Sequence, residues 1–263
     1  MRVPEPQSVS LFQRSRRPRA APRERLVMDM RDTVVYAIGD VHGCHEELRT
    51  LEQKIVLDAQ RFRGRKIIIM LGDYVDRGPH SRRVIEHLMA PAPKGFLRVC
   101  LAGNHEVALL NYLDGYLSRE PWLGYGGRET LFSYGVDPDR LASLYASGEI
   151  DARIREAIPA SHVEFLRTLP VMVCSDEWVF VHAGIRPGVA LEAQDEDDLL
   201  NIREEFFRAA HRLDQWVVHG HTIVDAPLRE GRRIDIDTGA FQTGRLTALR
   251  IVGKYGRLLS SQD

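Results

Sequence analysis

Two short runs limit the fold of this 263-residue chain more than any other feature. Val34-Val35-Tyr36-Ala37-Ile38 stops at Gly39-Asp40, and Ile67-Ile68-Ile69-Met70-Leu71 stops at Gly72-Asp73. A short continuous apolar run rich in β-branched residues is a strand buried on both faces. Between the two, Leu48, Leu51 and Ile55 recur at helical spacing. This predicts a βαβ unit with parallel strands and a right-handed crossover. Further strands are expected at 96–101, 178–182, 215–219, 232–237 and 245–252, nearly all ending in a polar cluster with His, Asn or Asp. Residues 105–170 read as a mainly helical insertion. Its Gly/aromatic centre, Trp122-Leu123-Gly124-Tyr125-Gly126-Gly127, is expected to cap or flank a site.

Composition excludes several classes. A hydrophobic fraction of 44% and a charged fraction of 28% rule out a mainly disordered chain, a collagen repeat and a disulfide scaffold. The formal net charge of −1 gives no electrostatic case for a nucleic-acid partner. No apolar run reaches the roughly 18 residues of a membrane span, so no membrane partner is expected. Cys44, Cys100 and Cys174 are odd in number and widely spaced, which suits free thiols in a reducing, cytoplasmic setting. Residues 1–30 carry a local charge of +4 and prolines at 4, 6, 18 and 22. They are read as a disordered basic leader before a single domain at 31–263. Without apolar periodicity, residues 1–27 are expected to be dispensable for folding.

Five segments follow predicted strands: Gly39-Asp40-Val41-His42-Gly43, Gly72-Asp73-Tyr74-Val75-Asp76-Arg77-Gly78, Gly103-Asn104-His105-Glu106, His182-Ala183-Gly184 and Gly220-His221-Thr222. Ligands of open α/β sheets gather at the carboxyl ends of strands, so the five can converge on one place. Each alone is an ordinary turn or core residue. Together they supply carboxylates, an Asn and several imidazoles, a donor mix that suits Mn²⁺, Fe or Zn²⁺ better than Ca²⁺. A metal pair about 3.5–4 Å apart needs a bridging carboxylate. Asp73, central among the candidate ligands in the chain, is the natural bridge.

These motifs resemble the phosphoprotein phosphatase family of calcineurin-like metallophosphoesterases, with its GDxHG, GDxVDRG, GNHE, HxG and GH signatures. The likeness runs from about residue 34 to about residue 252. The stretches Asp198-Leu199-Leu200-Asn201-Ile202-Arg203-Glu204 and Ile234-Asp235-Ile236-Asp237-Thr238-Gly239 resemble its bacterial branch, which includes the phage lambda phosphatase. The resemblance implies an α/β fold: a β-sandwich flanked by helices in four layers, α/β/β/α. It implies that Asp40 and His42 hold one metal, that Asp73 bridges, and that Asn104, His182 and His221 hold the second. His105 would be the general acid, oriented by Asp76, with Arg77 and Arg203 gripping phosphoryl oxygens. The cofactor expected is a pair of divalent ions, Mn²⁺ first, with Fe or Zn²⁺ as alternatives.

The function so implied is hydrolysis of phosphomonoesters by a metal-bridging hydroxide, on protein phosphoserine or phosphothreonine, with phosphotyrosine as a further substrate. A dinucleoside polyphosphate hydrolase, such as one acting on diadenosine tetraphosphate, shares the motifs and is the alternative. A non-catalytic binding module is the rival from another class, disfavoured by the complete ligand set. Two positions depart from the family pattern: Ala102 stands where Arg often precedes GNHE, and Asn201 where Trp often precedes Ile-Arg. Four further features get their ordinary reading: Glu106 as a helix-start acid, His219 as a strand residue, Asp195 to Asp198 as a solvated loop, and Cys44 as a buried structural thiol.

Overall fold

The computed structural model describes residues 22–262. Two sheets face each other. One contains β2 (Thr33–Ile38), β3 (Arg65–Met70), β4 (Phe96–Cys100), β10 (Thr247–Val252) and β11 (Tyr255–Ser260), in the order β11-β10-β2-β3-β4. The other contains β1 (Arg25–Val27), β5 (Met172–Cys174), β6 (Trp178–Val181), β7 (Trp216–His219), β8 (Leu228–Glu230) and β9 (Arg233–Asp235), in the order β1-β5-β6-β7-β9-β8. Helices α1 (His45–Ala59) and α2 (Ser81–Met89) are the crossovers from β2 to β3 and from β3 to β4, and both strand pairs are parallel.

Alternation along the strands builds two cores. Val35, Ala37, Ile67 and Ile69 point between the sheets and meet Val173, Phe180, Val218 and Ile236 from the other side. Tyr36, Ile38, Ile68 and Met70 point outward and pack with Leu48, Leu51 and Ile55 of α1. Every residue of β2 is buried, which is why that run is apolar throughout instead of alternating. The architecture is the expected α/β sandwich flanked by helices. Between β4 and β5 lie α3 (Asn104–Leu113), α4 (Arg119–Trp122), a turn at Leu123–Gly127, then α5 (Arg128–Ser133), α6 (Pro138–Leu144), α7 (Ser147–Ala157) and α8 (Ala160–Thr168).

The amino-terminal boundary needs correction. Residues 1–21 of the expected leader lie outside the described residues, but 22–30 are part of the fold. β1 pairs in parallel with β5, and Leu26, Met28 and Met30 pack on the core between the sheets. Arg23 donates to the carbonyls of Leu166 at 3.0 Å and Leu169 at 2.9 Å, around the end of α8. A three-residue strand leaves too little periodicity to read from sequence. Among the described residues no helix is long and apolar enough to cross a membrane.

Candidate metal centre

The strand ends deliver all five motifs to one place. Asp40 and His42 follow β2, Asp73 to Arg77 follow β3, Asn104 and His105 open α3 after β4, His182 follows β6, and His221 follows β7. The backbone there is unusual. Six non-glycine residues among those described have positive φ, and five are His42 (42°), Asp73 (52°), Asp76 (69°), Arg77 (67°) and His221 (66°). Such conformations are costly for L residues and persist where the surroundings over-determine them. Two glycines are required by close approach. A Cβ on Gly103 would lie 2.1 Å from Asp73 Oδ1, and one on Gly220 would lie 2.0 Å from Asp40 Oδ1.

The donor atoms of Asp73, His182 and His221 lie within 4.8 Å of one another, and so do those of Asp73, His42 and His105. Asp73 belongs to both groups. Its Oδ2 is 3.4 Å from His42 Nε2 and 3.4 Å from His182 Nε2, but 3.9 Å from His105 Nε2. Asn104 Oδ1 lies 2.7 Å from His182 Nε2 and 2.9 Å from His221 Nδ1. Asp40 Oδ2 accepts the His221 backbone N–H at 3.0 Å, while its Oδ1 is buried without a partner.

These residues fit a cation. His42 Nδ1 donates to the Val75 carbonyl at 2.8 Å and His182 Nδ1 to the Leu71 carbonyl at 2.9 Å. In the neutral ring each Nε2 then offers a lone pair. Those lone pairs converge on Asp73 Oδ2, with the Asn104 carbonyl oxygen beside His182. An array of acceptors facing one another is stable only around positive charge. Burial pushes Asp73 up to about 7. Asp40 is also raised, by burial first and then by the neighbouring charges of Asp237 and Asp73. Burial, with Arg77 next, keeps His42 neutral, and burial takes His182 down to about 4. Free imidazoles beside carboxylates short of a counter-charge are the chemistry of a metal cage.

His105 also has a carboxylate partner of its own. Its Nδ1 is 2.8 Å from Asp76 Oδ2, and both residues are fully buried. Its ring stacks on Tyr125 at 4.1 Å and 4°. Arg77 lies 5.1 Å over the Phe241 ring, with its Nη1 3.2 Å from His42 Nε2. Arg203, exposed, donates to Thr222 Oγ1 at 3.2 Å and to the His221 carbonyl at 3.4 Å. All ten residues singled out for the site therefore lie in or beside it.

Glu106 is more than a helix-start acid. It accepts the N–H of Gly103 at 2.9 Å, as a capping residue does, and also those of Asp73 at 2.8 Å, Tyr74 at 2.7 Å and Val75 at 3.2 Å. The segment Asp195 to Asp198 is no solvated loop either. Asp195 caps a short helix, Glu196–Asn201, and Asp198 forms a two-pronged ion pair with Arg186. His219 is a buried residue of β7 whose Nδ1 donates to the Gly220 carbonyl at 2.9 Å. Cys44 is buried and free. Asn201 bonds the side chain and carbonyl of Asp197. Ala102 is buried, its N–H donated to the Pro170 carbonyl at 2.8 Å. Sequence reasoning missed Asp237, whose Oδ2 is buried and unpartnered beside Asp40, and Phe241. The Asp235-Ile236-Asp237 alternation, continuing past a strand with its acids buried, was the available signal.

A cage of this kind, at the strand ends of a two-sheet sandwich, defines a metallophosphoesterase. Residues 33–225 match the calcineurin-like phosphoesterase family, and the chain belongs to it. It is 30% identical over 234 residues, 81% of this chain and 88% of the relative, to the asymmetrical bis(5'-nucleosyl)-tetraphosphatase PrpE of Halalkalibacterium halodurans. The PrpE of Bacillus cereus is 28% identical over 232 residues, again 81% of this chain and 88% of the relative. In fold, the chain is similar to a solved protein provisionally assigned as a diadenosine tetraphosphatase. The TM-score is 0.61 at 20% identity, covering 90% of this chain and 97% of the other. These relatives carry tetraphosphatase names, so the likeness to the phage lambda branch gains no support from them.

Proposed function

We propose that the chain hydrolyses dinucleoside tetraphosphates asymmetrically, giving a nucleoside triphosphate and a nucleoside monophosphate. The observation that carries this is the kinship with tetraphosphatases, 30% identity over 81% of the chain, combined with a full set of buried ligands. The phosphoserine and phosphothreonine reading gives way, because the motifs behind it are common to both groups. A binding module without catalysis is disfavoured by the retention of every ligand.

Asp40 and His42 would hold one divalent ion and Asn104, His182 and His221 the other, with Asp73 shared. Mn²⁺ is the first choice and Fe or Zn²⁺ the alternatives. When bound, such a pair supplies a nucleophilic water at neutral pH and offsets phosphate charge. Arg77, steadied by Phe241, and Arg203, steadied by Thr222, present forked donors matched to phosphoryl oxygens. His105 protonates the leaving oxygen from Nε2, since Asp76 occupies Nδ1. Displacement is direct and in line, with no phosphoenzyme. Three free, buried thiols suit a reducing cytoplasm.

The test is a side-by-side comparison of turnover on diadenosine tetraphosphate and on phosphoserine, phosphothreonine and phosphotyrosine peptides, with Mn²⁺ present. The expected products are ATP and AMP in equal amounts, with far slower release of phosphate from the peptides. ADP as sole product would overturn asymmetrical cleavage. Preference for a peptide would restore the protein phosphatase reading. One metal equivalent or none would favour the binding module.

A further inference from the structure

We propose that Thr130, on α5 of the helical segment, is a positioning residue for the proton-donating pair Asp76–His105. This rests on the reading of His105 as the group that protonates the leaving oxygen. Asp76 sits at φ 69°, a conformation its loop does not hold unaided. Its backbone N–H donates to Thr130 Oγ1 at 2.8 Å. The Thr130 hydroxyl in turn donates to Asp76 Oδ1 at 2.7 Å. The other carboxylate oxygen, Oδ2, is taken by His105 Nδ1 at 2.8 Å.

The three side chains are fully buried, so water does not substitute for a lost bond. With each carboxylate oxygen committed to a different partner, the Asp76 carboxylate cannot rotate. The His105 ring inherits a fixed direction for Nε2, and the Tyr125 face stacked upon it limits its tilt. Thr130 reaches 54 residues back along the chain to do this. Gly126 of the same segment accepts the Arg77 N–H at 3.0 Å, a second tie between the insertion and the Asp73–Gly78 loop. Thr130 therefore acts on the site through Asp76 and contacts no proposed metal ligand itself, whereas Tyr125 of the same segment accepts from the Asn104 side chain.

Thr130→Val is the informative change. It keeps the shape and removes the hydroxyl, leaving Asp76 Oδ1 without its donor. The Asp76 N–H retains Ser81 Oγ at 3.2 Å, so the loop keeps one tie. Kinetics on phenyl phosphate and p-nitrophenyl phosphate would separate the roles, with metal content and melting temperature recorded for each variant. We expect kcat on phenyl phosphate to fall by at least about tenfold and on p-nitrophenyl phosphate by less than about threefold. KM should stay within about twofold on both, with two metal equivalents retained. Thr130→Ser should recover most of the lost kcat. Equal losses on both substrates, loss of metal, or a serine variant as poor as the valine would overturn the proposal. Should the valine variant not fold, Thr130→Ala against Thr130→Ser carries the same comparison. Wild-type protein that cleaves aryl phosphates but not diadenosine tetraphosphate would overturn the functional reading and leave this test standing.

Discussion

The Glu106 carboxylate receives the backbone N–H of Asp73 at 2.8 Å, so the start of α3 holds the loop that carries the residue proposed to be shared by two metals. One oxygen takes the N–H groups of Asp73 and Gly103, and the other those of Tyr74 and Val75. Four peptide donors on one buried carboxylate fix a loop in which Gly72, Asp73, Asp76 and Arg77 sit at positive φ.

Glu106→Gln should therefore hurt although Glu106 binds no metal in our assignment. The amide must turn its NH₂ toward one pair of donors, leaving buried N–H groups unpaired at a cost of about 1–3 kcal/mol. Misplacing Asp73 should weaken metal binding by about 10–100-fold, the usual effect of losing an outer partner. Calorimetric Mn²⁺ titration measures this. Unchanged affinity would mean that the loop is held elsewhere.

Asp73→Asn should abolish dinuclear binding. Asp73 is the carboxylate present in both donor groups, and a neutral amide cannot share negative charge between two cations. Mass spectrometry should show loss of at least one metal equivalent. A variant with two metals and normal turnover would remove Asp73 from its role.

Much of this site is legible in sequence because it sits where strands end. A run such as Ile67 to Leu71 announces a buried strand, and the Gly-Asp behind it announces a turn at the sheet's carboxyl edge. The same logic finds His182 and His221. It fails for Thr130 and Phe241, which act across long sequence separations and carry no local pattern. Glu106 shows a different limit: its position at a helix start has a sufficient local explanation, which hides the three bonds it makes to another loop. β1 escapes notice because its three residues alternate too briefly, and its burial depends on a partner about 147 residues away.

Starting the chain at Met28 should lower the melting temperature, against the expectation from the leader's composition. The deletion removes β1, the Val171 N–H bond to the Glu24 carbonyl at 2.9 Å, and the Arg23 cap on α8. Arg23→Ala alone should cost about 1–3 kcal/mol, or roughly 2–10 °C in a domain of this size. Differential scanning fluorimetry decides, and an unchanged midpoint would show that β1 contributes nothing.

Metal affinity should rise as pH rises through about 7, where Asp73 gives up its proton. In the metal-free protein Asp73 is pushed up to about 7, so below that pH a cation must displace its proton. The imidazole of His182, taken down to about 4, offers no competition above pH 5. Linkage gives the opposite sign for Asp73 in metal-free folding. The folded state holds this proton more tightly than the unfolded one, so its contribution to stability falls as pH rises from about 4 to 7. Titrations at pH 5.5 to 8 in buffers of different ionisation enthalpy would count the protons released. A transition centred below pH 5 would assign the competition to another group.

His105→Asn should separate binding from proton transfer. His105 Nε2 is buried without a partner and lies farther from Asp73 Oδ2 than the Nε2 atoms of His42 and His182, 3.9 Å against 3.4 Å. Both metals should therefore remain. General acid catalysis is typically worth about 10²–10⁴-fold, and its loss should scale with the need of the leaving group. A serine alkoxide needs the proton most, a nitrophenolate least. The phosphate oxygen of a nucleotide released from an anhydride lies nearer the nitrophenolate. The expected order of loss is thus phosphoserine peptide, then phenyl phosphate, then diadenosine tetraphosphate and p-nitrophenyl phosphate. KM should move little, because the transfer belongs to the transition state. Asp76→Asn should give a weaker copy, since it only orients and charges the ring. Equal losses on all four substrates would assign His105 an electrostatic or binding role, and loss of a metal would make it a ligand.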